Sequence, residues 1–172
     1  GYSDLIVGAD LNDAGGSNAG RVYIYDYFMK NEIISDLNII GSANNDRLGY
    51  SVSSAGDVNG DGYSDLIVGS YGFSSLTGRA YIYFGGENMD NTADVILTGE
   101  GVSQTFGGSV STAGDVNGDG YSDVIVGAQG YNVNVGRAYI YFGGSSMNNI
   151  ADVTITGAAA SYFGCSVSNA GD

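Results

Sequence analysis

Read for the spacing of its apolar residues, the chain shows no sustained helical period and many short runs of strand character. "DLIVG" at 4–8 and 65–69, and "DVIVG" at 123–127, are continuous apolar runs rich in β-branched residues. A strand buried on both faces reads this way. "RAYIYF" at 79–84 and 137–142 alternates Tyr with Ile and Phe, so each face carries an aromatic or aliphatic side chain. "GYSVSS" at 49–54 and "GGSVST" at 107–112 lead into acidic loops, and "DVTIT" at 152–156 is a shorter, more polar strand suited to an outer edge. Gly85-Gly86 and Gly143-Gly144 mark turns between runs.

These runs recur. "GYSDLIVG" at 1–8 and 62–69 becomes "GYSDVIVG" at 120–127, and "GRVYIY" at 20–25 becomes "GRAYIYFGG" at 78–86 and 136–144. Arg21, Arg79 and Arg137 stand 58 residues apart, as do Asp36, Asp94 and Asp152. Four antiparallel strands in about 58 residues is close to the blade length of a β-propeller, whose sheets stack radially. A β-sandwich would show clean inside/outside alternation, which "DLIVG" lacks, and a β-helix uses much shorter coils. The expected fold is all-β, about three four-stranded blades forming one array over 1–172. Its units are about 1–47, 48–105 and 106–162, followed by a leading strand at 163–172. Three blades do not close a ring, since propellers run from about four to eight. The leading strand at 163–169 is therefore expected to pair with a neighbour, in a dimer, a fibre or a longer propeller.

Between the first two strands of a unit lies "DVNGDGYSD", at 57–65 and verbatim at 115–123. Closely spaced carboxylates repel unless protonated, solvated or neutralised by a cation. Side-chain oxygens fall at positions 1, 3, 5 and 9: Asp57, Asn59, Asp61 and Asp65, then Asp115, Asn117, Asp119 and Asp123. Position 7, Tyr63 or Tyr121, would add a main-chain carbonyl. Hard oxygen donors without His or Cys suit Ca2+, with two complete sites expected; magnesium, which demands a tighter octahedron, is second. An EF-hand needs Glu at position 12, where this chain has Val68 or Val126, so the ion belongs to a strand–loop–strand hairpin.

Charge sets limits. With 19 acidic against 5 basic residues, the net charge of −14 argues against binding nucleic acid or an anionic membrane. No apolar run approaches the length of a membrane span. The one cysteine, Cys165, reads as a small buried side chain. With no histidine and no paired-carboxylate constellation outside the acidic loops, no catalytic apparatus is expected.

The combination of Phe-Gly, the nine-residue acidic loop, an apolar strand ending in Gly-Ala, and G-R-x-Y-I-Y resembles the FG-GAP repeat. Those repeats form the β-propeller of integrin α subunits and of many bacterial and archaeal surface proteins. The Phe-Gly pairs are Phe106-Gly107 and Phe163-Gly164, with Leu48-Gly49 in their place earlier in the chain. The Gly-Ala-Pro element reads Gly8-Ala9-Asp10, Gly69-Ser70-Tyr71 and Gly127-Ala128-Gln129, without the proline. The resemblance implies calcium hairpins on one propeller face and ligand-contacting loops on the other, here 9–19, 42–47, 70–77, 100–105, 128–135 and 158–162. Tyr71, Phe73 and Tyr131 are candidate contacts there, with plain packing as the alternative. The arginines are expected to pair with an in-register Asp or carbonyl within their own blades, Asp36, Asp94 and Asp152 being candidate partners. Together these readings point to a calcium-stabilised extracellular or cell-surface module that binds a protein or glycan, or promotes adhesion. The alternative is a structural repeat that builds a stalk or filament.

Overall fold

Three antiparallel sheets account for nearly all the regular structure of the computed structural model, which describes residues 4–25, 37–87 and 89–171. The first has three strands: β1 (Leu5–Ala9), β2 (Arg21–Tyr25) and β3 (Leu37–Ile40). The second runs β4 (Ser51–Gly56), β5 (Asp65–Ser70), β6 (Arg79–Tyr83), β7 (Val95–Thr98). The third repeats it as β8 (Ser109–Gly114), β9 (Asp123–Ala128), β10 (Arg137–Tyr141), β11 (Val153–Thr156). Neighbours in sequence are neighbours in each sheet, so every sheet is a meander, with β7 and β11 at edges, the latter as its polar sequence predicts. These are consecutive β-propeller blades, the first of them with three strands among the described residues.

The continuous apolar run of β5 serves two interfaces. Leu66 and Val68 pack with Val22, Ile39, Leu48 and Tyr83 between the first and second sheets. Ile67 points the other way and joins Ala80, Ile82, Leu97, Val124, Val126, Tyr139 and Tyr141 between the second and third. The tyrosines of "RAYIY" thus fill the inter-blade space. Not every hydroxyl reaches solvent: that of Tyr139 is buried with no hydrogen-bond partner among the described residues. Burial pushes its phenol up to about 12 and raises those of Tyr83 and Tyr141 as well.

Blades also meet backbone to backbone. The Gly49 N–H donates to the Gly69 carbonyl at 3.0 Å, and the Gly107 N–H donates to Gly127 at 3.0 Å. A β-carbon on Gly69 would stand 2.0 Å from the Gly107 carbonyl oxygen, so the position admits glycine only. Beside this contact, Phe106 is fully buried and meets the rings of Tyr139 and Tyr141 edge-on, at centroid distances of 5.3 and 6.5 Å.

Segment 163–169 continues the pattern without forming a ladder among the described residues. Phe163 N–H donates to the Val135 carbonyl (3.3 Å), as Phe106 does to Thr77 (3.4 Å), and Val167 N–H donates to Ser109 Oγ (3.0 Å). Cys165 is exposed, contrary to the expectation of a buried thiol, as is Tyr50 at the matching position of an earlier unit.

Single helical turns at Phe73–Leu76 (α1) and Tyr131–Asn134 (α2) were not foreseen. Four residues are too few to leave a periodic signature. Both turns wind left-handed, with positive φ at Ser74, Ser75 and Leu76 and at Asn132, Val133 and Asn134. Left-handed winding costs an ordinary L-residue about 1–2 kcal/mol.

Phe106→Ala should lower unfolding stability by about 3–5 kcal/mol. Phe106→Leu, which installs the residue found at position 48, should cost under about 1.5 kcal/mol, with urea denaturation measuring both. In the same assay Val133→Asn should raise stability by about 0.5–1 kcal/mol, because Val133 is 87% exposed at φ 55 and Asn tolerates that conformation.

Candidate metal centre

Each acidic loop lies between two antiparallel strands, β4 and β5 or β8 and β9, which is the strand–loop–strand setting that the sequence predicts. Entry into the loop is marked by a register shift between Ser54 and Gly56, and between Thr112 and Gly114. The backbone then curls tightly, with φ of +79 at Gly60 and +90 at Gly62.

Hydrogen bonds within the loop set its shape. Asp57 Oδ1 accepts the N–H groups of Gly60 (2.7 Å) and Asp61 (3.1 Å), and its Oδ2 accepts that of Gly62 (2.9 Å). Asn59 Oδ1 accepts from Asp61 N–H at 2.9 Å, while Asn59 Nδ2 donates to Asp61 Oδ2 at 2.8 Å. Asp61 Oδ1 takes the Tyr63 N–H at 2.9 Å. The bonds of Asp115, Asn117, Asp119 and Tyr121 reproduce these distances almost unchanged, from 2.7 to 3.0 Å.

Asp65 and Asp123 behave differently from the other loop carboxylates. Asp65 is 2% exposed and holds two amides, Val58 N–H at 2.7 Å and Gly85 N–H at 2.8 Å; Asp123, at 0%, holds Val116 (2.8 Å) and Gly143 (2.9 Å). Burial raises the Asp65 carboxyl above its ordinary value, the two amide bonds pull it back, and the neighbouring charges of Asp61 and Asp57 add to the rise. This side chain ties the acidic loop to the 84–94 connection, a duty that its letter in the sequence does not reveal. Asp94 and Asp152 secure the same connections by accepting the N–H of Phe84 (2.7 Å) and Phe142 (2.8 Å). Their 58-residue period was the signal that marked them.

Among the described residues, no three acidic side chains already stand as a cluster able to hold a metal ion, since the loop carboxylates turn toward amides of their own loop. The donor set nevertheless fits a hard divalent cation. It consists of oxygen alone, and an anionic oxygen that accepts one or two amides keeps lone-pair capacity for an ion.

The arginine expectation is corrected. Arg79 stands opposite Thr98 in the β6–β7 ladder and donates to its Oγ1 at 3.2 Å, whereas Asp94 lies beyond the far end of the same hairpin. Arg137 likewise donates to Thr156 Oγ1 (2.9 Å) and forms an ion pair with Glu100, from the preceding unit, at 3.0 Å. Asp36, proposed for Arg21, lies outside the described residues. Arg79 stacks over Phe73 and Arg137 over Tyr131, at 3.6 and 3.7 Å to the ring centroids, so both aromatics serve packing in this structure. Tyr71 packs edge-on against Tyr50 at 4.5 Å.

Because the sheets are meanders, connections alternate between the two ends of the strands. Loops 57–64 and 84–94 fall at one end; 71–78 and 99–108 fall at the other. The variable connections therefore lie opposite the acidic loops. They are stitched together by main-chain bonds, including Asn45 N–H to Ser17 O (2.8 Å), Gly72 to Asp46 (3.2 Å), Thr105 to Leu76 (2.8 Å) and Gly130 to Gln104 (3.0 Å). An open groove of about 670 Å³, lined by 43–47 and 71–76, runs between two of them. No helix among the described residues is long and apolar enough to cross a membrane.

Comparison with known proteins agrees with this geometry. The FG-GAP repeat family matches residues 48–83 and 106–141, the bulk of the second and third blades. Integrin alpha-6 of Gallus gallus is 38% identical over 91 residues, covering 51% of this chain and 8% of that protein. Integrin alpha-5 of Xenopus laevis is 36% identical over 91 residues (49% and 9%), and integrin alpha-11 of Homo sapiens is 34% identical over 85 residues (47% and 7%). The chain thus spans less than a tenth of the length of these relatives.

Asp65→Ala strands two buried amides and should destabilise the fold by about 2–4 kcal/mol even in the presence of a chelator. Asp61→Ala, at an exposed position, should cost less than about 1 kcal/mol under the same conditions. Urea denaturation in EDTA separates the two roles.

Proposed function

Since two FG-GAP repeats occupy its four-stranded blades, we propose that this chain is part of a calcium-stabilised extracellular β-propeller that binds a protein or glycan, or mediates adhesion, without catalysis of its own. The observation that carries the calcium reading is the pair of loops with identical donor sets and matching internal bonds, built from oxygen alone. Asp57, Asn59, Asp61 and Asp65 would hold the ion with the Tyr63 carbonyl in one loop, and Asp115, Asn117, Asp119 and Asp123 with the Tyr121 carbonyl in the other. Bound calcium offsets two of the three negative charges of each loop and locks the hairpin. The amide bonds of Asp57 and Asp115 keep the backbone of the loop curled, so the ordering left to binding is that of the donor side chains.

The ligand-binding reading is supported by the groove between 43–47 and 71–76, at the end of the strands away from the acidic loops. The names of the relatives favour adhesion over enzymatic work. A second reading, end-to-end association of copies, draws on the bare outer faces of the array. Leu5 and Val7 are 54% and 42% exposed where their counterparts Leu66 and Val68 are buried, and Val153 and Ile155 are 37% and 43% exposed where Val95 and Leu97 are buried. Such faces suit another blade of the same kind.

Calorimetric titration of the chain should count two calcium sites. Extracellular modules bind with Kd of about 10⁻⁴–10⁻³ M, and at about tenfold above Kd each site adds about 1.4 kcal/mol of stability, lost again in EDTA. Absence of binding, or a response to zinc alone, defeats the assignment. Sedimentation velocity over a concentration series decides the second reading, since a monomer throughout removes it.

A further inference from the structure

The two acidic loops share one sequence and one internal geometry but not one environment. Val58 is fully buried, whereas Val116 at the same loop position is 53% exposed. Asp57 and Asn59 are half-buried; Asp115 and Asn117 are exposed.

The cover over the first loop comes from the following blade. Ser122 N–H donates to the Asp57 carbonyl at 2.9 Å, and Gly144 N–H donates to the Val58 carbonyl at 2.7 Å. The Tyr121 ring lies across Gly60, where a β-carbon would stand 2.5 Å from its Cε1. Around Gly118, the counterpart in the second loop, nothing lies within 4 Å.

We propose that loop 57–65 is a composite site, held in shape by Tyr121, Ser122 and Gly144 of the next blade, and that it binds calcium cooperatively with loop 115–123. This rests on the calcium reading above. The physical basis is twofold. Fixing the carbonyls of Asp57 and Val58 removes part of the ordering that an ion would otherwise impose, and shelter from water strengthens the attraction between ion and carboxylates. Tyr121 and Ser122 also belong to both loops at once. The Tyr121 carbonyl is a donor in its own loop while its ring rests on Gly60, so an ion ordering 119–123 also fixes the groups that hold 57–60. Two sites that share residues are coupled, and the coupling is reciprocal. Tyr121 and Ser122 thus act as positioning residues for a site in another blade.

The test is calcium titration of the full chain followed by NMR, with the Gly62 and Gly120 amides reporting on one loop each. Asp119→Ala should raise the calcium concentration that half-saturates the Gly62 amide by at least about fivefold. Gly60→Ala and Gly118→Ala carry the same backbone strain, at φ +79 and +77, so their difference isolates the tyrosine contact. Gly60→Ala should be the more damaging of the two, and Tyr121→Ala should relieve it. If Tyr121→Ala fails to fold, the glycine pair and Asp119→Ala decide alone. A Gly62 response indifferent to Asp119→Ala overturns this proposal and leaves the calcium reading standing. No response at either amide overturns both.

Discussion

Neighbouring blades of this protein touch through bare peptide, and the rest of the architecture follows from that closeness. At Gly8 against Gly49, Gly69 against Gly107, and Gly127 against Gly164, a β-carbon would come within 2.0 Å of a carbonyl oxygen. The contact brings the leading segment of one blade onto the second strand of the blade before it. At that distance the side chains flanking it must interdigitate, and the flat apolar strands β5 and β9 supply the surface. The fold is held less by any single ladder than by this repeated juxtaposition, which buries both faces of a central sheet and leaves the outermost faces partly bare.

Much of this was legible in the sequence because the constraint is local and repeated. A run such as "DLIVG" has no polar face, so it announces burial on both sides, and the 58-residue period sets the number of sheets. The polar "DVTIT" correctly marked an edge. What the sequence hid was the difference between residues bearing the same letter. Asp57 and Asp65 both read as ligands, yet Asp65 is sealed in the interior on two amides while Asp57 shapes the exposed turn. Periodicity linked Arg79 to Asp94, but strand register put them at opposite ends of one hairpin and gave Arg79 a threonine and an aromatic ring instead. The left-handed turns at 74–76 and 132–134 carry Ser, Leu, Asn and Val, and only the asparagines hint at that conformation.

Charge and shape are coupled at the acidic loops. A net charge of −14 concentrates part of its repulsion in two nine-residue segments, and each segment is curled by its own amide donors before any cation is considered. The loop is therefore a preformed fold element as well as a candidate binding site. Removing a surface carboxylate and removing the buried one are different perturbations, although both delete an aspartate.

The opposite end of the strands shows how the molecule keeps structure and identity apart. The connections at 16–18, 42–47, 71–77 and 99–105 hold one another through main-chain amides and carbonyls, reinforced at particular points by side chains such as Asn44 on Ser17, Asp46 within its own turn and Thr105 on Gly130. Where a position owes the frame only its peptide group, almost any amino acid can serve. This rim is thus open to drift at such positions: their outward chemistry can be rewritten residue by residue while the frame beneath stays put, so a single scaffold can diverge toward unrelated recognition tasks without first relearning how to fold.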